Sequence, residues 1–587
     1  MKCVRCGSEL EQDAAFCDKC GFPTETKELQ ETVSEPEEQI TGTKSEETEP
    51  GPNKKFMRIL AVAVVILAVV SVGALAFVKW SVKDPKEVVI QAFENIWPKD
   101  QVLPSEEMFG FKEFSESALT ADSDGGFTLK LDSCSEPSIN QFAGSGLRFQ
   151  AKSDKKNRKS SLNVGVIYNG MDLVNLNGYY GDETSMVSIP ELSGRVFTLD
   201  VSDGLGERIA NAPYLGKLLE EQGVDISILS SYFSEIVAQA DRIEKEGKAP
   251  FDFEALMKRY KEGCKAQENF KAALTVEKAS KGTYTMNGKE VSCQGYEVLI
   301  SKDSMIEFLR TSSDFFLQDE TLRQDFLNQM ESTVRMTELM GGGFSGMAMP
   351  SAKELQEQSY DEAKKGVEEM IRYLDGSLSD VRMTVYVDRK GNLAAVEGST
   401  QMNLEERADI SFHWELQGGS YLTQNFKGNV IVQKGEEALN VDVIRESSYN
   451  KKQLVDDISV NIHFPDDVYK VAYNSSYDSE SGDFQTSVGL ENQGIQVVEA
   501  SMSGVIDQLE KGKLIHMDID SLEFGAMDHY VNMALSGEYY YKPLEGEITP
   551  LEGETMDVLA ATESDWKDVG TEIMLNAFSV FSQVGVR

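Results

Sequence analysis

Between Ile59 and Val78 the chain reads ILAVAVVILAVVSVGALAFV, 20 residues without a single charge. As a helix rising about 1.5 Å per residue, that run reaches about 30 Å, the thickness of a bilayer's hydrocarbon core. Lys54, Lys55 and Arg58 stand before it, and Lys79 and Trp80 follow as interfacial anchors. A secretory signal peptide does not fit, because 58 mostly polar residues precede the run and its apolar core is too long. A buried core helix would carry a polar stripe, which is missing here. The sequence therefore predicts a single-pass membrane protein with its transmembrane helix over residues 56–80. The basic cluster ahead of the span predicts a cytoplasmic N-terminus, placing residues 81–587 outside the cell.

The first segment contains Cys3-Val4-Arg5-Cys6-Gly7 and Cys17-Asp18-Lys19-Cys20-Gly21, two C-x-x-C-G knuckles ten residues apart. Each knuckle turns two sulfurs toward one point, and the glycine behind it permits the left-handed backbone this requires. Cys3, Cys6, Cys17 and Cys20 are thus the expected ligands of one structural Zn²⁺, with iron held as in rubredoxin as the alternative. About twenty residues cannot build a core, so the ion must supply the folding energy. Thiolates persist in a reducing compartment, which again argues for a cytoplasmic N-terminus. CVRCGSELEQDAAFCDKCGFP resembles the zinc-ribbon family found at the start of many bacterial membrane proteins. The resemblance covers residues 1–23 and implies a structural zinc used for contact with a protein partner. Residues 24–55, rich in Glu, Thr and Pro, form an acidic linker too poor in apolar residues to fold.

Charge divides unevenly at the span. Residues 1–58 hold 8 basic and 13 acidic groups, whereas residues 79–587 hold 49 and 85, a net of −36. Such a domain is repelled by nucleic acid and by anionic membrane surfaces. No nucleic-acid partner is expected.

The outer region reads as α+β. Asp84-Pro85 caps a helix with Val88, Ile90, Phe93 and Ile96 along one face. Alternation follows in Phe127, Leu129 and Leu131, in Leu147, Phe149 and Ala151, and in Leu162, Val164, Val166 and Tyr168. Asn169-Gly170, Asn177-Gly178 and Asn287-Gly288 are hairpin-turn dipeptides. Three segments are expected: a first β-meander with helices over 81–302, a helical insert over 303–376, and a second antiparallel meander closed by a helix over 377–587. In the last segment Ile410, Phe412 and Trp414 should face a core and Ser411, His413 and Glu415 water. One-faced antiparallel sheets need cover, and the helices are its natural source. This order of elements, with YYGDETSMVSIPELSGRVFTLD, resembles the half-barrel carriers of the LolA and LppX type, which implies a greasy cavity. The layout also resembles zinc-ribbon membrane proteins associated with glycopeptide-antibiotic susceptibility.

Candidate chemistry in the outer region is sparse. His413, His463 and His516 fall on polar strand positions, and His529 falls among apolar ones. His516, Asp518 and Asp520 share one strand face and read either as cation ligands or as a solvated face. Ser153-Asp154-Lys155-Lys156 reads as a charged hairpin tip or as a contact for phosphate of a wall polymer or lipid. Gly341–Pro350 is a linker or an apolar lid. Cys134, Cys264 and Cys293 are an odd set whose disulfide state the sequence leaves open. The expected function is that of a non-enzymatic cell-envelope protein whose outer domain binds a partner or an apolar ligand. The alternatives are a transmembrane sensor and a cell-wall enzyme.

Overall fold

A computed structural model describes residues 84–96, 101–202, 204–221, 252–328, 330, 352–403, 407–526 and 531–583. By its contacts the chain divides into two units, residues 1–58 and 59–587, and all described residues belong to the second. The zinc-ribbon cysteines, the apolar run Ile59–Val78, Gly341–Pro350 and His529 lie outside the described residues. Among the described residues no helix is long and apolar enough to cross a membrane.

Helix α1 (Pro85–Glu94) begins as its sequence dictates: Asp84 accepts from the Lys86 amide at 3.1 Å and Pro85 occupies the first turn. Its buried face is Val89, Ala92, Phe93 and Ile96, not the expected stripe through Val88 and Ile90. That spacing of three, four and seven is the ordinary helical one, and an equally apolar Val88-Val89-Ile90 obscured its phase. Two short helices, α2 (Pro104–Phe109) and α3 (Phe111–Thr120), pivot on left-handed Gly110, φ 67°.

The first meander follows, as β1 (Ser123–Cys134), β2 (Gly146–Asp154), β3 (Lys159–Tyr168), β4 (Met171–Gly181), β5 (Thr184–Ser188) and β6 (Arg195–Asp200), with α4 (Pro137–Asn140) between the first two. Helices α5 (Leu205–Ala210), α6 (Leu215–Glu221), α7 (Phe253–Gly263) and α8 (Ala266–Ala273) lead to the hairpin β7 (Thr275–Met286) and β8 (Lys289–Ile300). Then come α9 (Lys302–Gln318) and α10 (Ala352–Ser377).

The second meander runs β9 (Val381–Val387), β10 (Leu393–Asn403), β11 (Arg407–Leu416), β12 (Phe426–Lys434), β13 (Glu437–Tyr449), β14 (Gln453–His463) and β15 (Val468–Asp478). It continues through β16 (Asp483–Asn492), β17 (Ile495–Glu510), β18 (Leu514–Ala526) and β19 (Val531–Pro543). Short β20 (Glu554–Asp557) and α11 (Glu563–Gln583) close the described chain.

All twenty strands belong to one sheet. From β7 each strand pairs with the next through β19; β19 then pairs with β1, and the first meander carries the sheet on to β6. The two meanders are therefore joined edge to edge by a single antiparallel seam, Leu131 against Leu535 and Phe127 against Tyr539. Only β20 against β6 is parallel. No pairing joins β7 to β20 among the described residues, so the sheet is open.

Turn chemistry explains most of the hairpins and one misreading. Asn169-Gly170 and Asn287-Gly288 have positive φ at both positions and make the β3–β4 and β7–β8 turns. Asn177-Gly178 does not turn: it lies inside β4, where Asn177 accepts from Asn163 at 2.7 Å. The actual β4–β5 turn is Asp182-Glu183, both left-handed, a pair without glycine that the dipeptide signal misses.

Candidate functional site: an open apolar sheet face

Cross-strand partners share a face of a sheet, so the register builds the surface row by row. One row passes from Trp414 through Gly428, Val443, Val460 and Val471 to Leu490 and Val498. The adjacent row runs Ile458, Tyr473, Val488, Ala500, Phe524 and Met533. Across the seam, Tyr539, Phe127, Phe149, Val164 and Leu176 continue the same apolar face into the first meander. On the reverse face His413, Asn429, Asp442, Asn461, Lys470 and Glu491 form an equally continuous polar row. Strict alternation in each strand, held in register by the hairpins, makes one side of the sheet apolar and the other polar.

The helices cover the apolar side only in part. At the β7–β12 end, α1 packs on β7 and β9, α10 packs on α9 and β10, and Val298, Val385 and Phe412 are buried. The Lys271–Glu94 pair at 3.1 Å ties α8 to α1. Met108 of α2 shares a buried cluster with Tyr477 and Ile506, and the Phe109 and Tyr477 rings lie 4.7 Å apart. At the other end Trp566 of α11 stacks on Phe197 at 6.1 Å. Between these covers the face is open: Val488 is 48% exposed, Phe524 41%, Val498 45% and Leu147 53%. The expected helix-covered sheet is thus realised at the ends and not in the middle, where the described helices do not reach. From β14 to β3 the open stretch measures about 40 Å across the strands, at about 4.8 Å per strand.

The boundary between covered and open regions carries polar groups. Trp414 lies across Gly428, where an added Cβ would meet its ring at 2.5 Å. Its Nε1 is buried and has no acceptor among the described residues. Trp414 is half-buried, as are His413 and Glu415, which hydrogen-bond to each other at 2.9 Å. The expected contrast between the two parities of β11 holds at Ile410, Ser411 and Phe412 and fades at 413–415.

The remaining sequence candidates separate cleanly. Ser153–Lys156 is the β2–β3 hairpin tip, where Asp154 accepts from the Asn157 amide and side chain, both at 2.8 Å. Those bonds hold the Asp154 carboxyl below its usual range. Cys134, Cys264 and Cys293 are free thiols, and burial pushes Cys293 up to about 11. His463 sits 4.0 Å from Asp442. His516 and Asp518 do converge, but with Asp507 and not with Asp520. A β-bulge brings Asp507 in, and a second bulge between Ile519 and Leu522 breaks the face that Asp520 was expected to share. Bulges leave no signal in a simple alternation, so Asp507 was not legible.

Comparison with known proteins identifies residues 2–24 as a zinc-ribbon domain. Four thiolates in paired C-x-x-C knuckles are a donor set that suits zinc, so this segment is a zinc-binding one. No curated protein and no solved structure matches the chain.

Proposed function

We propose that this chain is a membrane-anchored, non-enzymatic cell-envelope protein whose outer domain holds lipid acyl chains on the open apolar face of its sheet. The observation that carries the reading is the unbroken apolar surface through Val471, Val488, Phe524, Tyr539 and Leu147, backed by a polar reverse face. A soluble domain seldom leaves so large a patch bare, and such patches mark ligand, membrane or partner sites. An acyl chain occupies half of a hydrocarbon core of about 30 Å, so a face of about 40 Å accommodates chains laid along the rows. The half-barrel carrier fold that the sequence resembles puts an apolar sheet face to the same use. Val, Leu and Phe side chains offer burial without directional demands, which suits a chain of methylenes. On the cytoplasmic side one zinc ion would hold the ribbon rigid for contact with a protein partner.

The test is photo-crosslinking of the full chain in intact cells. A photoreactive side chain at Val488 or Leu147 is expected to yield lipid adducts by mass spectrometry. The same group at Ser487 or Ser501, on the polar face, is expected to yield none. Adducts equal at both faces, or protein adducts alone at Val488 and Leu147, would refute the acyl-chain reading.

A further inference from the structure

On the polar face of β17–β19 four metal-ligating side chains meet. Asp507, His516 and Asp518 each place a ligand atom within 4.8 Å of the others, and Asp518 is the direct cross-strand partner of Glu538. The backbone builds this convergence. Ile506 pairs with Met517 and Gln508 with His516, leaving Asp507 as the extra residue of a bulge beside the imidazole.

The hydrogen bonds assign roles. Asp507 Oδ1 lies 2.5 Å from His516 Nδ1, so this carboxylate accepts from the ring and turns its other nitrogen outward. His516 Nε2 then looks toward Glu538, whose Oε2 is 3.9 Å away. Thr128 donates to the opposite oxygen, Oε1, at 3.2 Å and fixes that carboxylate's rotation. A carboxylate behind a histidine, with the second ring nitrogen left free beside other carboxylates, is how proteins orient an imidazole for a metal. None of Asp507, Asp518 and Glu538 pairs with a lysine or arginine among the described residues. Three carboxylates around one imidazole therefore leave a net negative charge that no side chain offsets.

We propose that His516 Nε2, Asp518 and Glu538 bind a divalent transition-metal ion, with Asp507 as the positioning residue behind the ring. Mixed imidazole and carboxylate donors fit zinc and its neighbours in the first transition series better than calcium or magnesium. Three protein ligands leave room for water in the remaining position.

The experiment is equilibrium dialysis of the detergent-solubilised full chain against Zn²⁺, with metal counted per chain. Two zinc ions are expected, one in the ribbon and one in the sheet. His516→Ala and Glu538→Gln should each bind one. Asp507→Asn should keep two, the sheet ion held roughly 10–100-fold more weakly. His463→Ala, a histidine beside a carboxylate on another strand, should keep both at full affinity. Replacing Cys6 and Cys17 by Ser removes the ribbon ion and should leave one that disappears on adding His516→Ala. A single zinc in the wild type, lost with the cysteines and untouched by His516→Ala, would overturn the proposal. So would a second ion that survives both His516→Ala and Glu538→Gln.

Discussion

Arg445 and Asp456 face each other across β13 and β14 in a two-pronged pair, Nε to Oδ1 at 2.8 Å and the second nitrogen to Oδ2 at 2.7 Å. Both side chains stand on the apolar face, where Arg445 is the cross-strand neighbour of Ile458 and lies 5.8 Å from the Tyr421 ring. The pair marks the border of the helix-covered region. A guanidinium so placed is tolerated because its donors are spent on the carboxylate and its plane on the ring.

Removing one partner should therefore cost more than removing both. Asp456→Ala is expected to destabilise by about 1–3 kcal/mol, less than a fully buried pair because both groups retain some water. Arg445→Met with Asp456→Ala should recover part of that loss. Denaturant titration of the three variants measures the coupling, and strictly additive losses would show that the pair contributes nothing as a pair.

Strand β11 offers a test of the sheet's two faces. Phe412→Ala should cost about 3–5 kcal/mol, since the ring is buried under the helices. Ser411→Ala, on the exposed parity, should change stability by no more than roughly 0.5 kcal/mol. Trp414→Ala should fall between them, because its ring is only half-buried at the edge of the cover. A Trp414 effect equal to that of Phe412 would mean that the open region is closed in solution.

The three outer cysteines should behave differently toward a thiol reagent. Cys264 is half-buried, whereas Cys134 and Cys293 are buried and burial raises the Cys293 thiol to about 11. The thiolate is the reactive form. At pH 8 Cys264 is expected to react first, and Cys293 only after denaturation. Mass spectrometry of the labelled peptides checks the order, and equal rates would contradict the packing around Cys293.

The metal of the N-terminal segment is open to a direct assay. A peptide of residues 1–24 is expected to bind one Zn²⁺ and to gain ordered structure only with it. Cys6→Ser should weaken binding by orders of magnitude. Unchanged affinity and stoichiometry in that variant would remove Cys6 from the ligand set.

Much of the fold was legible because strands with one buried face announce themselves. Val381, Met383, Val385 and Val387 alternate in sequence and are all buried in the structure. The final helix, expected over about 564–581, spans Glu563–Gln583. What the sequence withheld was non-local. Nothing in Leu131 or Leu535 says that these residues pair, yet their seam joins the meanders into one sheet. The open middle was hidden for a related reason: Val385 and Val488 look alike in alternation, and only the position of the helices buries one and exposes the other. The cation cluster was half legible, since His516 and Asp518 follow strand parity while Asp507 depends on a bulge.

Acid should weaken the helical end of the domain through one carboxylate. Asp319 accepts two bonds from Arg259 of α7, at 2.9 and 2.8 Å, and another from the Leu322 amide at 2.7 Å. The guanidinium beside it, chiefly, holds its carboxyl below the usual range. A lowered folded pKa means that the unfolded chain binds the proton more readily. The contribution is therefore complete above the unfolded value of about 3.9 and is lost as pH falls through the folded value. Nearby Asp325 is shifted the other way, its carboxyl raised by burial. Its ionisation opposes folding once pH exceeds the unfolded value. Asp319→Asn is thus expected to lower stability at pH 7 and to flatten the decline below about pH 4. Asp325→Asn is expected to raise stability at pH 7, with little difference from wild type in acid. Unfolding curves from pH 3 to 7 decide the matter, and two variants with the same sign at pH 7 would contradict the opposed environments of these carboxylates.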